Sequence, residues 1–421
     1  MPPARFNSTR ITPLRWTRRL GCLLALVAMT LAAHGQIDPE KRRLIEAAGE
    51  FPLHERGPLA AYFYYYHNEP EFLGTNMALR LVIAPVYLDS ELGFRHALGE
   101  YTDLGIGLAG GGFANSYSEI RGGDYERAES FIGHGGEIST SVYHLFNPAD
   151  RAPLNGILRA SIRTAFYDRD SKTAPNFEIP TDQTQFVIRT GLRLGGREPS
   201  LSPELAAELS VWYEGKIRFQ PEKYGFNHDR EINPDAHLFW ARALLAYTFP
   251  DWRTHVEASV TAGTSIDADR LSAPRLGGNL PLVAEFPLSL PGYYAQELSA
   301  RHYALFSGRF TLPLDAGNRL AFAFFGSAGW VDYIEGLDQP GHFQSGLGGG
   351  LVYRSASNAL QLGAGYGYGF QALRDRGRGA QTIAFVAQYD FEAARRVGEP
   401  FWRPLLSPDT WRSVFRIFGA H

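Results

Sequence analysis

The chain has 421 residues, a formal charge of −3, one cysteine, 44% hydrophobic residues and 13% aromatics. That much apolar residue excludes a disordered chain, one cysteine excludes a disulfide scaffold, and no run reaches the ~18 apolar residues of a spanning helix. What needs explaining is the pairing of 45 glycines with 21 tyrosines and 28 phenylalanines.

Residues 1–35 read as a secretory signal peptide. Arg5, Arg10, Arg15, Arg18 and Arg19 precede an apolar stretch from Leu20 to Ala33, and Ala33-His34-Gly35 offers a small-x-small cleavage site. Its removal would leave 36 basic against 44 acidic residues, a charge of −8, and no cysteine. Such a chain, without a Lys/Arg cluster, is no nucleic-acid binder. Residues 36–74 are expected to be a periplasmic N-terminal segment, with 37–50 a short polar helix.

From residue 75 to 391 the pattern changes to alternation with period two. In 236–249 one face carries Phe239, Ala241, Ala243, Leu245, Tyr247 and Phe249, and the other Trp240, Arg242 and Thr248. In 156–167 Leu158, Ile162 and Phe166 oppose Arg159 and Arg163; in 183–196 Ile188, Leu192 and Leu194 oppose Arg189 and Arg193. The segments run about ten residues or more, longer than the five or six usual in soluble sheets. Aromatics near the ends of the apolar face fit the girdles of a lipid-facing strand. Arginine on the opposite face belongs in a wet lumen, because a sandwich core would leave it an uncompensated buried charge.

Short connections near 250, 315 and 355 alternate with long ones at 121–134, 170–182, 220–235, 268–296 and 334–342. The reading is therefore an all-β, transmembrane antiparallel β-barrel in the outer membrane of a Gram-negative-type bacterium. Thirteen segments start near 75, 102, 135, 155, 183, 204, 236, 254, 297, 318, 343, 359 and 379. Termini on one side require an even count. A break of 75–98 around Asp89-Ser90 gives about fourteen strands, within a range of 12–16; Ala60–Tyr66 is the other source of an extra strand.

The lumen parity collects Arg159, Arg163, Arg189, Arg193, Arg242, Arg301 and Arg309, with Glu137, Glu208, Glu214, Glu257, Lys216 and Arg218. Two functions fit: a polar channel whose wall selects solutes, or a closed lumen braced by Arg–Glu pairs. A glycine stripe also lies on one face, Gly363, Gly365, Gly367 and Gly369 beside Gly346, Gly348 and Gly350. Residues without side chains leave a groove where another backbone can lie.

The loop 268–296 holds Arg275-Leu276-Gly277-Gly278 and Leu290-Pro291-Gly292-Tyr293, and five strands follow it. With the glycine-rich strands and the terminal aromatic Phe391, this resembles the C-terminal barrel of the bacterial surface antigen family, the BamA/TamA-like outer-membrane proteins, over roughly 255–391. In that family a glycine-rich loop with an Arg-Gly-Phe/Tyr motif folds into the lumen. Here Pro291 stands where the family has Arg, and Ser327 where it often has Asp. The resemblance implies an inward loop held by packing rather than by an ion pair. It also implies outer-membrane lipids as surroundings and the assembly machinery as a biogenesis partner. The segment before the barrel is too short for a POTRA domain, which argues against the family's usual assembly role.

Residues 392–421 extend beyond the barrel. Ser407 and Pro408 read as a helix start, with Trp411, Val414, Phe415 and Phe418 on one face of an amphipathic helix.

Catalytic and metal motifs are not evident, and no cofactor is expected. His134-Gly135-Gly136 has no Gly-x-Ser-x-Gly elbow beside it, and His302 lies oddly on an apolar face. The expected function is non-enzymatic: a channel or a lipid- or protein-handling accessory. A general diffusion porin is the alternative, and an outer-membrane lipid hydrolase the second.

Overall fold

The computed structural model describes residues 40–398 other than 55, 59, 151, 197–204, 251, 281–285 and 376. The expected signal peptide and the 407–418 helix lie outside the described residues. Sixteen strands form one closed antiparallel barrel. They are β1 Arg42–Pro52, β2 Ala60–Glu69, β3 Met77–Ala84, β4 Tyr87–Phe94, β5 Thr102–Gly111, β6 Phe131–Leu145, β7 Leu154–Arg169 and β8 Gln183–Gly196. Then follow β9 Leu205–Arg218, β10 Asp235–Thr248, β11 His255–Ile266, β12 Leu298–Pro313, β13 Leu320–Tyr333, β14 Phe343–Arg354, β15 Leu360–Arg374 and β16 Gly377–Asp390. Each pairs with its sequence neighbours, and β16 closes on β1 from Leu44↔Asp390 to Pro52↔Thr382. Closure leaves no sheet edge running the full height of the wall, as hydrocarbon requires.

Burial is inverted relative to a soluble protein. Ile138, Ile162, Leu209, Val211, Phe306, Phe324, Leu347 and Phe385 are exposed on the outer face. Their neighbours in sequence, Glu137, Ser139, Ser161 and Ser210, are buried on the inner face, as are Ser327 and Gln344 on the same strands as Phe324 and Leu347. The alternation follows from the two-residue strand period, and it places the apolar parity toward lipid.

Three readings at the N-terminal side are corrected. Residues 42–52 are strand β1, not part of a helix over 37–50. Glu46 and Glu50 sit four apart, as on a helix face, but both point into the lumen and are buried. The segment 36–74 is therefore not a separate periplasmic piece: it holds β1 and β2, and the barrel runs 42–390 rather than 75–391. The break within 75–98 falls at Pro85-Val86, not Asp89-Ser90. Proline lacks the N–H a ladder needs, whereas Asp89 points its carboxylate at Arg80 across the hairpin, 3.4 Å away. Both sources of an extra strand are realised, and β1 adds another, giving sixteen.

At the end of the barrel that holds the start of β1, the last strand passes into a short helix, α1 Phe391–Arg396. The Asp390 carboxylate caps it, accepting from the Glu392 and Ala393 amides at 2.8 and 3.0 Å. Glu392 meets Arg43 of β1 at 2.5 Å, so the helix pins the closing seam.

Candidate functional site

The lumen is filled from above by the connection between β11 and β12. Gly277 donates to the Leu288 carbonyl, and Leu290 donates to Gly278 at 2.8 Å, folding the loop into a narrow hairpin. Its turn Leu290-Pro291-Gly292-Tyr293 is fully buried or nearly so. Gly292 has φ +85°, a conformation that favours glycine.

This turn lies on the glycines of β14 and β15. A Cβ at Gly346 would run into the Pro291 carbonyl oxygen, and one at Gly367 would come within 2.9 Å of Gly292 N and 3.2 Å of Pro291 Cβ. A Cβ at Gly369 would meet the Tyr293 ring at 2.7 Å. The remaining glycines serve another ring: Gly348 and Gly365 border Phe325, while Gly350 packs on the Gly365 backbone and Gly363 on Val386. The stripe is thus divided, its outer half a seat for the loop and its inner half a seat for an inward phenylalanine.

Polar groups fix the seated turn. The Tyr293 hydroxyl donates to Gln344 Oε1 at 2.7 Å, and Gln344 Nε2 donates to the Tyr333 hydroxyl at 2.7 Å. Glu297, fully buried, accepts from the Tyr294 amide at 2.7 Å and from Arg374 through both oxygens at 2.9 Å. The Arg374 guanidinium also lies 3.7 Å from the centre of the Tyr294 ring. On the β1 side, Glu50 accepts from the Asn279 amide at 2.6 Å and from Thr382 at 2.9 Å. Leu276, Leu290, Tyr293, Leu298, Tyr303, Leu305, Val331 and Tyr333 form the surrounding apolar cluster.

The loop also reaches the far wall. Phe286 stands edge-on to Trp212 and Trp240, with ring centres 5.3 and 5.7 Å away. Arg242 lies 4.5 Å and Arg189 5.4 Å from its centre. The loop therefore contacts β14–β16, β1 and β8–β10, crossing the lumen.

Lumen charges gather where parity predicts. Arg159 and Arg163 both donate to Glu137 at 2.9 Å. Arg242 donates to Glu208 at 2.6 Å, with Arg193 at 3.9 Å. Lys216 is 3.3 Å from Glu214, and Arg309 stands opposite Glu257 in the ladder. Arg189 is sandwiched by rings, 4.9 Å from Trp212 and 5.2 Å from Trp240. Arg301 departs from the reading. A bulge between Ala300 and His302 shifts the register there, and Arg301 is exposed rather than set in the lumen wall. His302 keeps the outward parity of Ala304 and Phe306, as the sequence reading had it, and Thr264 bonds its Nδ1 at 2.7 Å. Ser327 pairs with Ser307 at 2.9 Å, a neutral bond inside the lumen.

The external loops close over the plug. Tyr117, Phe131, Phe177, Tyr224 and Ile232, from three connections and the top of β6, share one apolar cluster. Beside it Glu119 is fully buried, meeting Arg230 and Arg270, while Glu129 meets Arg230 and Arg121. Arg275 is lowered by burial and stacks 5.0 Å from the Tyr117 ring. The tip of the 112–130 loop reaches across to the β15–β16 turn. Gly123 lies against the Leu373 backbone, and the Asp124 carboxyl is raised by burial and by Asp375.

Sequence reasoning missed Phe286, Glu297, Tyr294, Gln344, Arg374 and Glu50 as parts of this site. Only the identity of the loop and its glycine seat were signalled in advance.

No family model matches the chain, and no curated protein matches it. Among solved structures it is similar to CdiB from Acinetobacter baumannii, with 12% identity, TM-score 0.54, and coverage of 83% of this chain and 60% of that one. It is similar to CdiB from Escherichia coli, with 12% identity, TM-score 0.55, and coverage of 89% and 71%. BamA from Haemophilus ducreyi lacking POTRA domains 1–3 gives 9% identity, TM-score 0.50, and coverage of 89% and 78%. The chain spans 60% of the length of the first CdiB. These likenesses establish the fold: a closed β-barrel like those of CdiB and BamA.

Proposed function

We propose that this outer-membrane barrel is a conduit held shut by its own β11–β12 loop, not a standing diffusion pore. The observation that carries the reading is the Pro291–Tyr293 turn seated on Gly346, Gly367 and Gly369. A diffusion pore leaves an aqueous channel through its lumen; here the loop crosses that space and the external loops cover it. The Arg–Glu pairs then act as bracing, in keeping with the closed-lumen alternative. The role is non-enzymatic, handling a substrate at the membrane with outer-membrane lipids around it and the assembly machinery needed only for biogenesis. His302, the residue that raised a hydrolase, is bonded to Thr264 on the outer face.

Planar-bilayer recording of the purified protein tests the reading. The wild type is expected to be silent, and removal of 279–294, which takes away the seated turn, with a short Gly/Ser bridge is expected to give a steady conductance. Steady conductance from the wild type would sink it. Labelling by a serine-directed probe would revive the hydrolase.

A further inference from the structure

The barrel wall is uneven. β3 and β4 have 8 residues each, while β12 has 16. At a barrel tilt near 40° eight residues rise only about 20 Å, short of the apolar band of about 25 Å. The turn joining them is apolar throughout, Ala84-Pro85-Val86-Tyr87 between Ile83 and Leu88, with no charged or amide side chain. Ile83, Val86 and Leu88 are exposed on it. A turn at the membrane surface carries polar residues, so this one ends inside the hydrocarbon.

The neighbouring strand records the same gap. β2 pairs with β1 from Ala60 to Asn68, but with β3 only from Tyr65 to Glu69. Among the described residues the outer half of β2, Ala60–Tyr64, therefore has no partner strand on its β3 side. Unpaired backbone cannot face hydrocarbon, so polar matter must reach this level of the wall.

The two sides of the gap differ in chemistry. Outside stand Phe63, Ile83, Val86 and Phe113, all exposed. Inside stand the hydroxyls of Tyr62 and Tyr64, with Tyr62 donating to Glu46 at 2.5 Å. Tyr87 at the hairpin tip lies within electrostatic reach of Asp89 and of the Arg163–Glu137–Arg159 cluster, in which two guanidiniums share one carboxylate and leave a net positive charge. The Arg163 side chain is 39% exposed.

We propose that this low wall between β2 and the β3–β4 hairpin is a lateral binding site for an anionic amphiphile from the outer leaflet. Its acyl chain lies across the apolar rim, and its phosphate or carboxylate head enters the lumen toward Arg163 and the tyrosines. The site is independent of the gate reading. A conductance failure would sink the gate and leave the portal, and the reverse holds.

The test is photolabelling in vesicles of phosphatidylethanolamine containing a phosphatidylglycerol with a diazirine near the ester end of its acyl chain. Inward residues Tyr64, Tyr66, Val82 and Tyr87 are expected to carry label at several times the level of inward residues on β12–β14. Label confined to outward Phe63, Ile83 and Val86 would overturn the proposal, because it means the bilayer merely thins around a short wall. R163Q, which leaves the rim unchanged, is expected to cut inward labelling by the anionic probe at least threefold while a phosphatidylcholine probe is unaffected. Equal labelling by both probes in the wild type would overturn the anionic preference.

Discussion

Gly346 has room for a hydrogen and nothing larger, because the Pro291 carbonyl oxygen occupies the space where a side chain would begin. G346V is expected to fold, since a β-branched residue suits the strand itself, but to expel the turn. The outcome to measure is a steady conductance where the wild type has none, in protein whose heat-shifted gel mobility is intact. Glu297 and Arg374 make the opposite case. Both are buried, and removing one partner leaves the other charge without compensation. R374A is expected to lower stability by about 3 kcal/mol in urea titration of the vesicle-folded protein. The double variant R374M/E297M should recover most of that loss. The glycines were legible in the sequence because a missing side chain at every second residue of a strand is a signal in itself. The Glu297–Arg374 pair was not, because its members lie 77 residues apart, beside the start of β12 and at the end of β15, and only the folded wall brings them together.

Elements show where periodicity fails. In β1 the acids Glu46 and Glu50 satisfy a helical spacing of four and a strand spacing of two equally well. Only a neighbouring strand decides, and β16 supplies it through nine register pairs. The external loops add a pH response. Asp124 reaches the β15–β16 turn, where burial and Asp375 raise its carboxyl. A group with a raised folded value binds its proton more tightly when folded. Its contribution is present below the unfolded value and lost as pH rises through the folded one. The contact should therefore loosen as pH rises upward from the ordinary carboxylate range. Protease nicking within 112–130 is expected to increase with that rise in the wild type and to stay flat in D124N; a flat wild type would contradict the assignment.

For the whole molecule, closure is the condition of stability. A chain starting at residue 70 lacks β1 and β2, leaving β3 and β16 as open edges in lipid. It is expected to give no heat-shifted folded band in vesicles, whereas a chain starting at residue 40 should. A folded band from the shorter chain would mean that β1 and β2 are dispensable. The sixteen-strand circuit also explains the composition. Many of the phenylalanines and leucines face lipid, while Tyr62, Tyr293, Tyr303, Trp212 and Tyr333 face inward to bond or stack.

Local chemistry was enough to determine the class of fold, the lipid-facing parity, most of the lumen charges and the loop with its glycine track. Each of these follows from alternation, charge or the lack of a side chain, properties carried by neighbouring residues. Tertiary structure alone decided the strand count, the seat shared between loop and Phe325, the reach of Phe286 to the far wall, and the low wall at β3–β4. Those depend on register and closure, in which residues far apart in sequence meet only once the last strand pairs with the first.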